Sequence, residues 1–382
     1  MLAPCGGVRS DATPADPAEQ AARSWRSTAL LADGREILYF DESPGLNRAA
    51  ITDKRDLPAH DAVAALRWDP LAGEPVMYAA QRQDRLFHPA AGSCPLCPSK
   101  PGHHTEIPAP GYDVVVFENR FPALAGPAGG RCEVVCFTAD HEGSFAGLDP
   151  RRVRTVFDAW ADRTAELGAL PGVKHVYCFE NRGEEIGVTL HHPHGQVYAF
   201  PFVPPRVSRL LARAGAHRAA TGRNLFDDVV AAELAEARRI VARNDHWVAF
   251  VPEAARWPFE VMIFPCVRVP DLPAVPGPGR DGFGPVYQDV LGRLDALFAA
   301  PMPYIAAWQQ APSADEGEAG QARADDDAVA GRAEFGLHLH VMGIRRAEGK
   351  LKYAAGTESG AGAWSNDVLP ENAAQMLRSA TP

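Results

Sequence analysis

The chain repeats one order of elements twice, and this repeat limits its fold more than any other feature of its 382 residues. In the first half, apolar strands at 112–124 and 132–137 precede a helical stretch and a histidine-bearing strand at 191–200. In the second half, 247–264 and 335–343 repeat that order and again end on histidines two residues apart. The repeat predicts two copies of one α+β unit, each with a mostly antiparallel sheet flanked by helices.

The repeat divides the chain into three predicted parts. Residues 1–25 are rich in alanine, proline and small polar residues, and we expect them to be poorly ordered. Residues 26–205 form the first unit, which carries the metal and nucleophile candidates described below. Residues 206–382 form the second unit, with a flexible acidic loop near 311–334, where acids abound and aromatic residues are absent.

Two helices are marked by their end signals and apolar periodicity. Asp149 is predicted to cap the first helix, with Pro150 at its first position and Gly168 at its end. A longer helical stretch is predicted over 224–244, where it joins the halves. The first helix is expected to pack on a sheet through one face, formed by Val153, Val156, Phe157 and Trp160.

Composition narrows the class of protein. A formal charge of -10 argues against a nucleic-acid surface, which needs a basic face, but local arginines can still bind a small phosphorylated ligand. No apolar stretch approaches the length of a membrane span, and the first residues do not resemble a secretory signal. Seven cysteines form no small disulfide framework, so we expect a cytoplasmic protein with reduced thiols.

A Cys-x-x-Cys pair, Cys94 and Cys97, predicts a zinc site in preference to a redox pair, because prolines follow where a redox motif would open a helix. Four protein ligands would leave no position for water, so this zinc would be structural. Cys132 and Cys136 share a strand face and are interpreted as packing residues. Spacing does not choose the two remaining ligands among His103, His104, His141, His191 and His192.

The histidine cluster predicts a nucleophile. If 189–200 is a strand, His192 and His194 point one way and His191 the other. Neutral imidazole attacks phosphorus without an added base, and the amide of Gln196 on the same face can donate to the phosphoryl oxygens. The competing interpretation is two strand histidines bonded to backbone carbonyls, and the adjoining Pro193 and Gln196 favour the catalytic one.

Three motifs carry a family resemblance. "HPHGQ" at 192–196, "CPLC" at 94–97 and "FENRG" at 179–183 resemble the galactose-1-phosphate uridylyltransferase family of the histidine-triad superfamily. The resemblance runs from residue 67 to near the C-terminus. It implies duplicated histidine-triad-like domains, a cytoplasmic homodimer with sites completed across the interface, and one structural zinc ion per subunit.

The resemblance also implies a reaction. UDP-glucose would transfer its uridylyl group to His194 and release glucose 1-phosphate, and galactose 1-phosphate would then accept the group by ping-pong kinetics. The alternative is a related nucleotidyltransferase, or a nucleotide-sugar or dinucleotide phosphorylase, with another acceptor. A zinc-stabilised binding module without chemistry explains the cysteines but not the polar residues around His194.

Site residues follow from the resemblance position by position. His194 corresponds to the uridylylated histidine and Gln196 to the glutamine that steadies the intermediate. The zinc ligands correspond to Cys94, Cys97, His141 and His192. The resemblance also implies substrate contacts: two arginines at the phosphates, an asparagine in the uridine pocket, a segment that lines the nucleotide and a segment that binds the acceptor. In that order, these residues are Arg82 and Arg85; Asn119; Asn181, Gly187, Val188 and Thr189; and Lys352, Tyr353, Thr357 and Glu358.

The chain departs from the family pattern in two places. His338 and His340 resemble part of a second metal site, but Gln309 follows Trp308 where that site uses a histidine. We therefore expect no second metal there. In the acceptor segment, Tyr353 replaces a phenylalanine, Thr357 a tyrosine and Trp364 a glutamine, so the implied acceptor recognition differs from that of the family.

Overall fold

The computed structural model describes residues 25–84, 89–313 and 331–382. Of the segment 1–25 that is predicted to be poorly ordered, all but residue 25 lies outside the described residues, as does most of the acidic loop near 311–334. The helices are α1 Pro150–Gly168, α2 Pro205–Thr221, α3 Leu225–Glu236, α4 Gly277–Ala296 and α5 Pro370–Ser379. The strands are β1 Trp25–Leu30, β2 Glu36–Asp41, β3 Ala65–Asp69, β4 Glu74–Tyr78, β5 Val114–Glu118, β6 Arg131–Cys136, β7 His175–Arg182, β8 His194–Phe200, β9 Ile240–Arg243, β10 Trp247–Phe250, β11 Phe259–Pro265, β12 Tyr304–Gln309, β13 His338–Gly343, β14 Arg345–Ala347 and β15 Lys350–Leu351.

One sheet runs through both halves of the chain. Among the described residues it has eleven strands in the order β1-β2-β5-β6-β8-β7-β12-β13-β11-β10-β9. The first half contributes β5-β6-β8-β7, and the second contributes the matching β10-β11-β13-β12 in mirrored order, with β7 and β12 paired antiparallel at the junction. The predicted α+β class, antiparallel pairing and duplication are confirmed. The domain boundary at 205/206 stays a prediction, because the two halves share this sheet.

The matching helices α1 and α4 cover one face of the sheet. The side chain of Asp149 accepts a hydrogen bond from the backbone N–H of Arg152 at 3.0 Å, which confirms the predicted cap and the start at Pro150. The predicted apolar face of α1 is buried in the largest core cluster, together with Phe283 and Trp308 of the second half. Burial of both helices against one face leaves the opposite face for other contacts.

The predicted helix over 224–244 is wrong in its second half. Helix α3 ends at Glu236, Ala237 adopts φ 56°, and the chain continues as β9. Residues Ile240–Arg243 pair with β10 at the edge of the sheet. Backbone pairing with a distant strand therefore overrides the local helical preference.

The hairpin of β3 and β4 stands apart from the main sheet and exposes large apolar side chains. Trp68 is 64% exposed and Leu71, at the turn, is 97% exposed. Such residues rarely cluster on the surface of a monomer, so the hairpin is a candidate contact surface. Within the described parts of the chain, no helix is long and apolar enough to cross a bilayer.

Candidate active site and metal centre

Four residues from three distant segments meet at one point. One ligand atom from each of Cys94, Cys97, His141 and His192 lies within 4.8 Å of the other three. The Cys97 sulfur is 3.4 Å from Nδ1 of His141 and 3.6 Å from Nδ1 of His192. Sulfur and nitrogen bound to one tetrahedral zinc ion would be about 3.5 Å apart, so the geometry and the donor set fit that metal.

The second nitrogen of His192 fixes the tautomer that a metal needs. Its Nε2 lies 2.8 Å from the carbonyl oxygen of Thr138, which can only accept, so Nε2 carries the proton. The lone pair of Nδ1 therefore faces Cys97. Burial, the largest effect, lowers the pKa of His192 to about 4 and keeps the ring neutral. Of the histidines that spacing left open, the cluster takes His141 and His192 rather than His103 or His104.

Without a bound metal ion, the Cys97 thiol favours its protonated form. Burial raises the pKa of Cys97 to about 12, and the neighbouring Cys94 thiol contributes to this increase. A metal ion bound at this sulfur would stabilise its thiolate form near neutral pH. Cys132 and Cys136 are fully buried in apolar clusters and lie outside the metal-ligand group, as expected for packing residues.

Strand β8 begins at His194, so His192 lies outside the strand. The prediction that strand alternation sets the direction of the His192 side chain is therefore wrong. The Nδ1 of His194 is 2.7 Å from the carbonyl oxygen of His192. Because a carbonyl oxygen only accepts, Nδ1 carries the proton and donates this hydrogen bond. The lone pair of the ring is therefore on Nε2. Burial lowers the pKa of His194, which favours the neutral, nucleophilic ring.

The residues after His194 are set by close packing. A Cβ on Gly195 would lie 2.8 Å from the carbonyl oxygen of Phe179 and 2.9 Å from the ring of Phe137, so only glycine fits at this position. Gln196 follows on the same strand face as His194. The hydroxyl of Tyr198 donates to Oε1 of Gln196 at 3.3 Å, which leaves the amide N–H groups of Gln196 available to donate.

His194 opens onto a cavity of about 340 Å³. Of the predicted substrate residues, Asn181 and Val188 line this cavity, and Gly187 and Thr189 flank Val188 in the chain. Gly187 has φ +80° and ends the turn that leads to this lining. Other lining groups that carry charge or can carry it are Glu180, Arg182, Glu184, Glu185, His191 and Arg345.

Of the other predicted contacts, those among the described residues do not line this cavity. Arg82 lies in the 3-10 turn Ala80–Asp84, and Arg85 is outside the described residues. Asn119 follows β5, and its Oδ1 accepts the backbone N–H of Phe121 at 2.9 Å. Gln196 is likewise absent from the lining.

The acceptor segment forms its own structure. The Nζ of Lys352 is 2.9 Å from Oε1 of Glu358, and this hydrogen bond holds the pKa of Glu358 well below its ordinary value. The hydroxyl of Thr357 also donates to Glu358, in the π-helical turn Gly356–Gly360. Tyr353 is 61% exposed. The segment therefore does not line the His194 cavity.

Sequence reasoning missed a buried carboxyl group in the cavity. Glu180 is 6% exposed and accepts hydrogen bonds from the hydroxyls of Tyr304 at 3.0 Å and Tyr287 at 3.4 Å. Burial raises its pKa to about 7. The position of Glu180 beside Asn181 in "FENRG" was the sequence signal that it lies near the site. Its hydrogen bonds were not predictable, because both tyrosines come from the second half of the chain.

Replacing Glu180 with glutamine is expected to flatten the pH dependence of stability. Because its pKa rises from 4.5 to about 7 on folding, the folded chain keeps a proton that the unfolded chain loses. The free energy of unfolding should therefore fall as pH rises through this window, by at most about 3 kcal/mol. Urea unfolding at pH 5 and pH 8 measures this fall. Glu184→Gln, at a more exposed position of the same cavity, is the control and should show the pH dependence of wild type. If the free energy of unfolding of Glu180→Gln changes with pH as much as that of wild type, the raised pKa of Glu180 is contradicted.

The second histidine pair is held by protein groups. Nε2 of His340 is 2.7 Å from Oε1 of Glu260, and Nδ1 of His340 is 2.9 Å from Nη2 of Arg206. A guanidinium only donates, so Nδ1 accepts and Nε2 carries the proton. The ring of His338 stacks on Phe264 at 4.5 Å. The expectation that this pair binds no second metal stays a prediction.

Comparison with known proteins finds similar sequences over most of the chain. The sequence model for the galactose-1-phosphate uridyl transferase N-terminal domain matches residues 125–204, and that for the C-terminal domain matches residues 212–381. The galactose-1-phosphate uridylyltransferase of Streptomyces lividans is 46% identical over 92% of this chain and 97% of its own length. That of Thermotoga maritima is 33% identical over 82% of this chain and 97% of its own length.

Solved structures agree with the sequence matches. A uridylyltransferase structure superposes with a TM-score of 0.69 at 28% identity, covering 82% of this chain and 97% of that chain. An ADP-glucose phosphorylase from Arabidopsis thaliana shares the fold, with a TM-score of 0.64 at 21% identity, covering 84% of this chain and 99% of that chain. The chain belongs to the galactose-1-phosphate uridylyltransferase family.

Proposed function

We propose that the protein transfers a uridylyl group from UDP-glucose to galactose 1-phosphate, giving glucose 1-phosphate and UDP-galactose. The observation that carries the proposal is His194, held by the carbonyl of His192 with Nε2 unprotonated and opening onto a cavity, in a chain of this family. The curated relatives named for this activity match almost their full length.

The reaction runs in two steps through His194. Nε2 attacks the α-phosphorus of UDP-glucose, and the bond to the bridging oxygen breaks, so the electron pair leaves with glucose 1-phosphate. A phosphate oxygen of galactose 1-phosphate then attacks the same phosphorus, and the pair of the N–P bond returns to Nε2. The Nδ1 proton stays in place throughout, and the His192 carbonyl stabilises the positive charge of the intermediate ring.

Other residues bind and orient the nucleotide in this proposal. The amide of Gln196 donates to a phosphoryl oxygen of the intermediate, and as a non-ionisable group it does not activate water. Asn181 and the segment 187–189 hold the nucleotide beside His194. Asn119 contacts the uracil or ribose, and Arg82 and Arg85 contact the phosphates.

We assign a structural zinc ion to Cys94, Cys97, His141 and His192. Its chemistry when bound is that of a tetrahedral anchor without an open position. These four residues tie three segments of the chain together, and His192 passes that rigidity to His194 through the hydrogen bond of its carbonyl. Zinc binding would thus position the nucleophile without touching the substrate.

We further propose a cytoplasmic homodimer in which the partner subunit completes the site. Lys352, Tyr353, Thr357 and Glu358 lie outside the cavity of their own subunit, which supports acceptor contacts made across an interface. The exposed apolar hairpin of β3 and β4 offers a surface for that contact. Sedimentation equilibrium measures the state directly, and a monomer at assay concentration would contradict the dimer.

The deciding experiment supplies the purified protein with labelled UDP-glucose alone and then with an acceptor. The proposal expects release of glucose 1-phosphate and a uridylyl adduct without acceptor, followed by UDP-galactose when galactose 1-phosphate is added. Inorganic phosphate is the comparison acceptor, and faster turnover with phosphate would identify a phosphorylase instead. Absence of any adduct would remove the covalent route.

A further inference from the structure

One buried hydroxyl contacts all three segments that carry the candidate metal ligands. Tyr112, which precedes β5, is 6% exposed and is not itself one of the four candidate ligands. Its hydroxyl oxygen lies 2.9 Å from the carbonyl oxygen of Leu96, 2.8 Å from that of Thr138 and 2.8 Å from Nε2 of His192. A single side chain outside the ligand group therefore connects the segments from which the ligands come.

Each contact of Tyr112 lies at or next to a candidate ligand. Leu96 stands between the two cysteines of the pair, and its backbone N–H donates to the Cys94 sulfur at 3.4 Å. Thr138 lies in the stretch that follows β6 and leads to His141. The third contact is made to a ring that belongs to the ligand group itself.

The protons of this group follow from what each atom is able to donate. Nε2 of His192 carries a proton, because the Thr138 carbonyl beside it only accepts. The oxygen of Tyr112 accepts from the same N–H with one of its lone pairs. The proton of the hydroxyl is then left for the Leu96 carbonyl. Tyr112 thus accepts from the ring of one ligand and donates to the backbone between two others.

An acceptor at Nε2 stabilises a metal-bound imidazole more than a free one. A cation at Nδ1 draws electron density from the ring, so the N–H at Nε2 becomes a stronger donor. The bond to Leu96 also fixes the backbone of the cysteine pair before any ion arrives. Less conformational freedom is then lost when the ligands close on the ion.

The contact with His192 also reaches the nucleophile. The ring of His192 is held at Nε2 by Tyr112, and its backbone carbonyl accepts the Nδ1–H of His194 at 2.7 Å. Among the described residues that line the His194 cavity, Tyr112 does not occur. Any effect of Tyr112 on uridylyl transfer is therefore exerted through His192.

We propose that Tyr112 is a positioning residue that pre-organises the metal ligands and raises the zinc affinity of the site. It binds neither the ion nor the substrate, and it acts through the backbone of Leu96 and the ring of His192. This role rests on the proposed function, because it presupposes the zinc ion assigned to the four ligands.

Tyr112→Phe tests the role, because it removes the hydroxyl and keeps the ring in the apolar cluster. We expect zinc affinity to fall roughly 10-fold or more, as for other lost partners of a metal-binding histidine. Competition between the purified full chain and a chromophoric chelator, with zinc alone as the ligand, measures the affinity. A value within about twofold of wild type would overturn the proposal.

Buffered zinc links the affinity to the reaction. At a free zinc concentration that half-loads wild type, a 10-fold weaker variant should be only about one-tenth loaded. Its yield of uridylyl adduct should fall with its zinc content, and excess zinc should restore both. A low adduct yield that excess zinc does not restore would contradict a role exerted through the metal site.

Tyr39→Phe is the matched control. Tyr39 lies in the same apolar cluster at 1% exposure, and its hydroxyl bonds to the backbone of Ala109, outside the ligand segments. Urea unfolding with and without zinc compares the two variants. The stabilisation by zinc should shrink in Tyr112→Phe by about 1.4 kcal/mol for a 10-fold loss of affinity, and should be unchanged in Tyr39→Phe. An equal loss in both variants would mean that the contact with His192 is not special, and the proposal fails.

The outcomes also separate this role from the proposed function. If wild type binds no zinc, the metal assignment is wrong and the role of Tyr112 falls with it. If wild type binds zinc and transfers the uridylyl group while Tyr112→Phe matches its zinc affinity, only the role of Tyr112 is wrong. A Tyr112→Phe protein that stays unfolded at saturating zinc would show that the hydroxyl serves folding alone, which also overturns the role.

Discussion

His194→Ala is expected to abolish uridylyl transfer, with a fall in turnover of roughly 10⁴-fold or more. The variant lacks the Nε2 lone pair that forms the bond to phosphorus, and no cavity-lining histidine replaces its geometry. His192 belongs to the group of four candidate metal ligands, and its Nε2 is hydrogen-bonded to the Thr138 carbonyl. His191 is exposed and pairs with Glu184 at 3.0 Å. Release of UDP-galactose measures turnover.

Intact-protein mass spectrometry after incubation with UDP-glucose checks the same prediction at the level of the intermediate. Wild type should gain one uridylyl group and His194→Ala none. His246→Ala, on an exposed turn between β9 and β10, is the matched control and should retain both adduct and turnover. An adduct of normal yield in His194→Ala would move the nucleophile to another residue.

Loss of the proposed metal centre is the second large effect expected, because four ligands from three segments would lose the ion that they share. Cys97→Ser, or extraction by a strong chelator, is expected to lower the free energy of unfolding by about 4 kcal/mol or more. Transfer activity should fall as well, since the His192 carbonyl that holds His194 moves with its ring. Urea unfolding and metal analysis by plasma mass spectrometry are the measurements, with one zinc per subunit expected in wild type.

Cys266→Ala is the control for the metal prediction, because this half-buried thiol lies outside the ligand cluster. It should keep the zinc content and the stability of wild type to within about 1 kcal/mol. A protein that purifies without metal, and whose unfolding does not respond to a chelator, would contradict the structural role of the cluster.

The elements of the fold were predictable where local signals were strong. Helix α1 begins at Pro150 behind the Asp149 cap and buries the predicted apolar face, because capping and periodicity act within a few residues. The helix predicted over 224–244 ended early at Glu236, because residues Ile240–Arg243 pair with β10, a partner that local propensity does not include. Likewise, the repeat predicted two similar units but not the single sheet that joins them through β7 and β12.

The site divides in the same way. The motif around His194 and Gln196, and the pair Cys94 and Cys97, stood out in the sequence as chemistry-bearing groups. Spacing alone did not select the two histidine ligands, and the resemblance did so before the structure brought the four ligand atoms within 4.8 Å. The tautomer of His194 depends on its 2.7 Å contact with a backbone carbonyl, a detail invisible in the motif.

By itself, the sequence determined the repeat, the capped helix, the nucleophile motif and the family resemblance, because each of these depends on neighbouring residues. Only the tertiary structure decided that Glu180 meets two tyrosines of the second half and that Arg345 faces the His194 cavity. Both depend on contacts between residues more than 100 positions apart. The pKa of an ionisable group depends on its surroundings, and those surroundings exist only once the chain has folded.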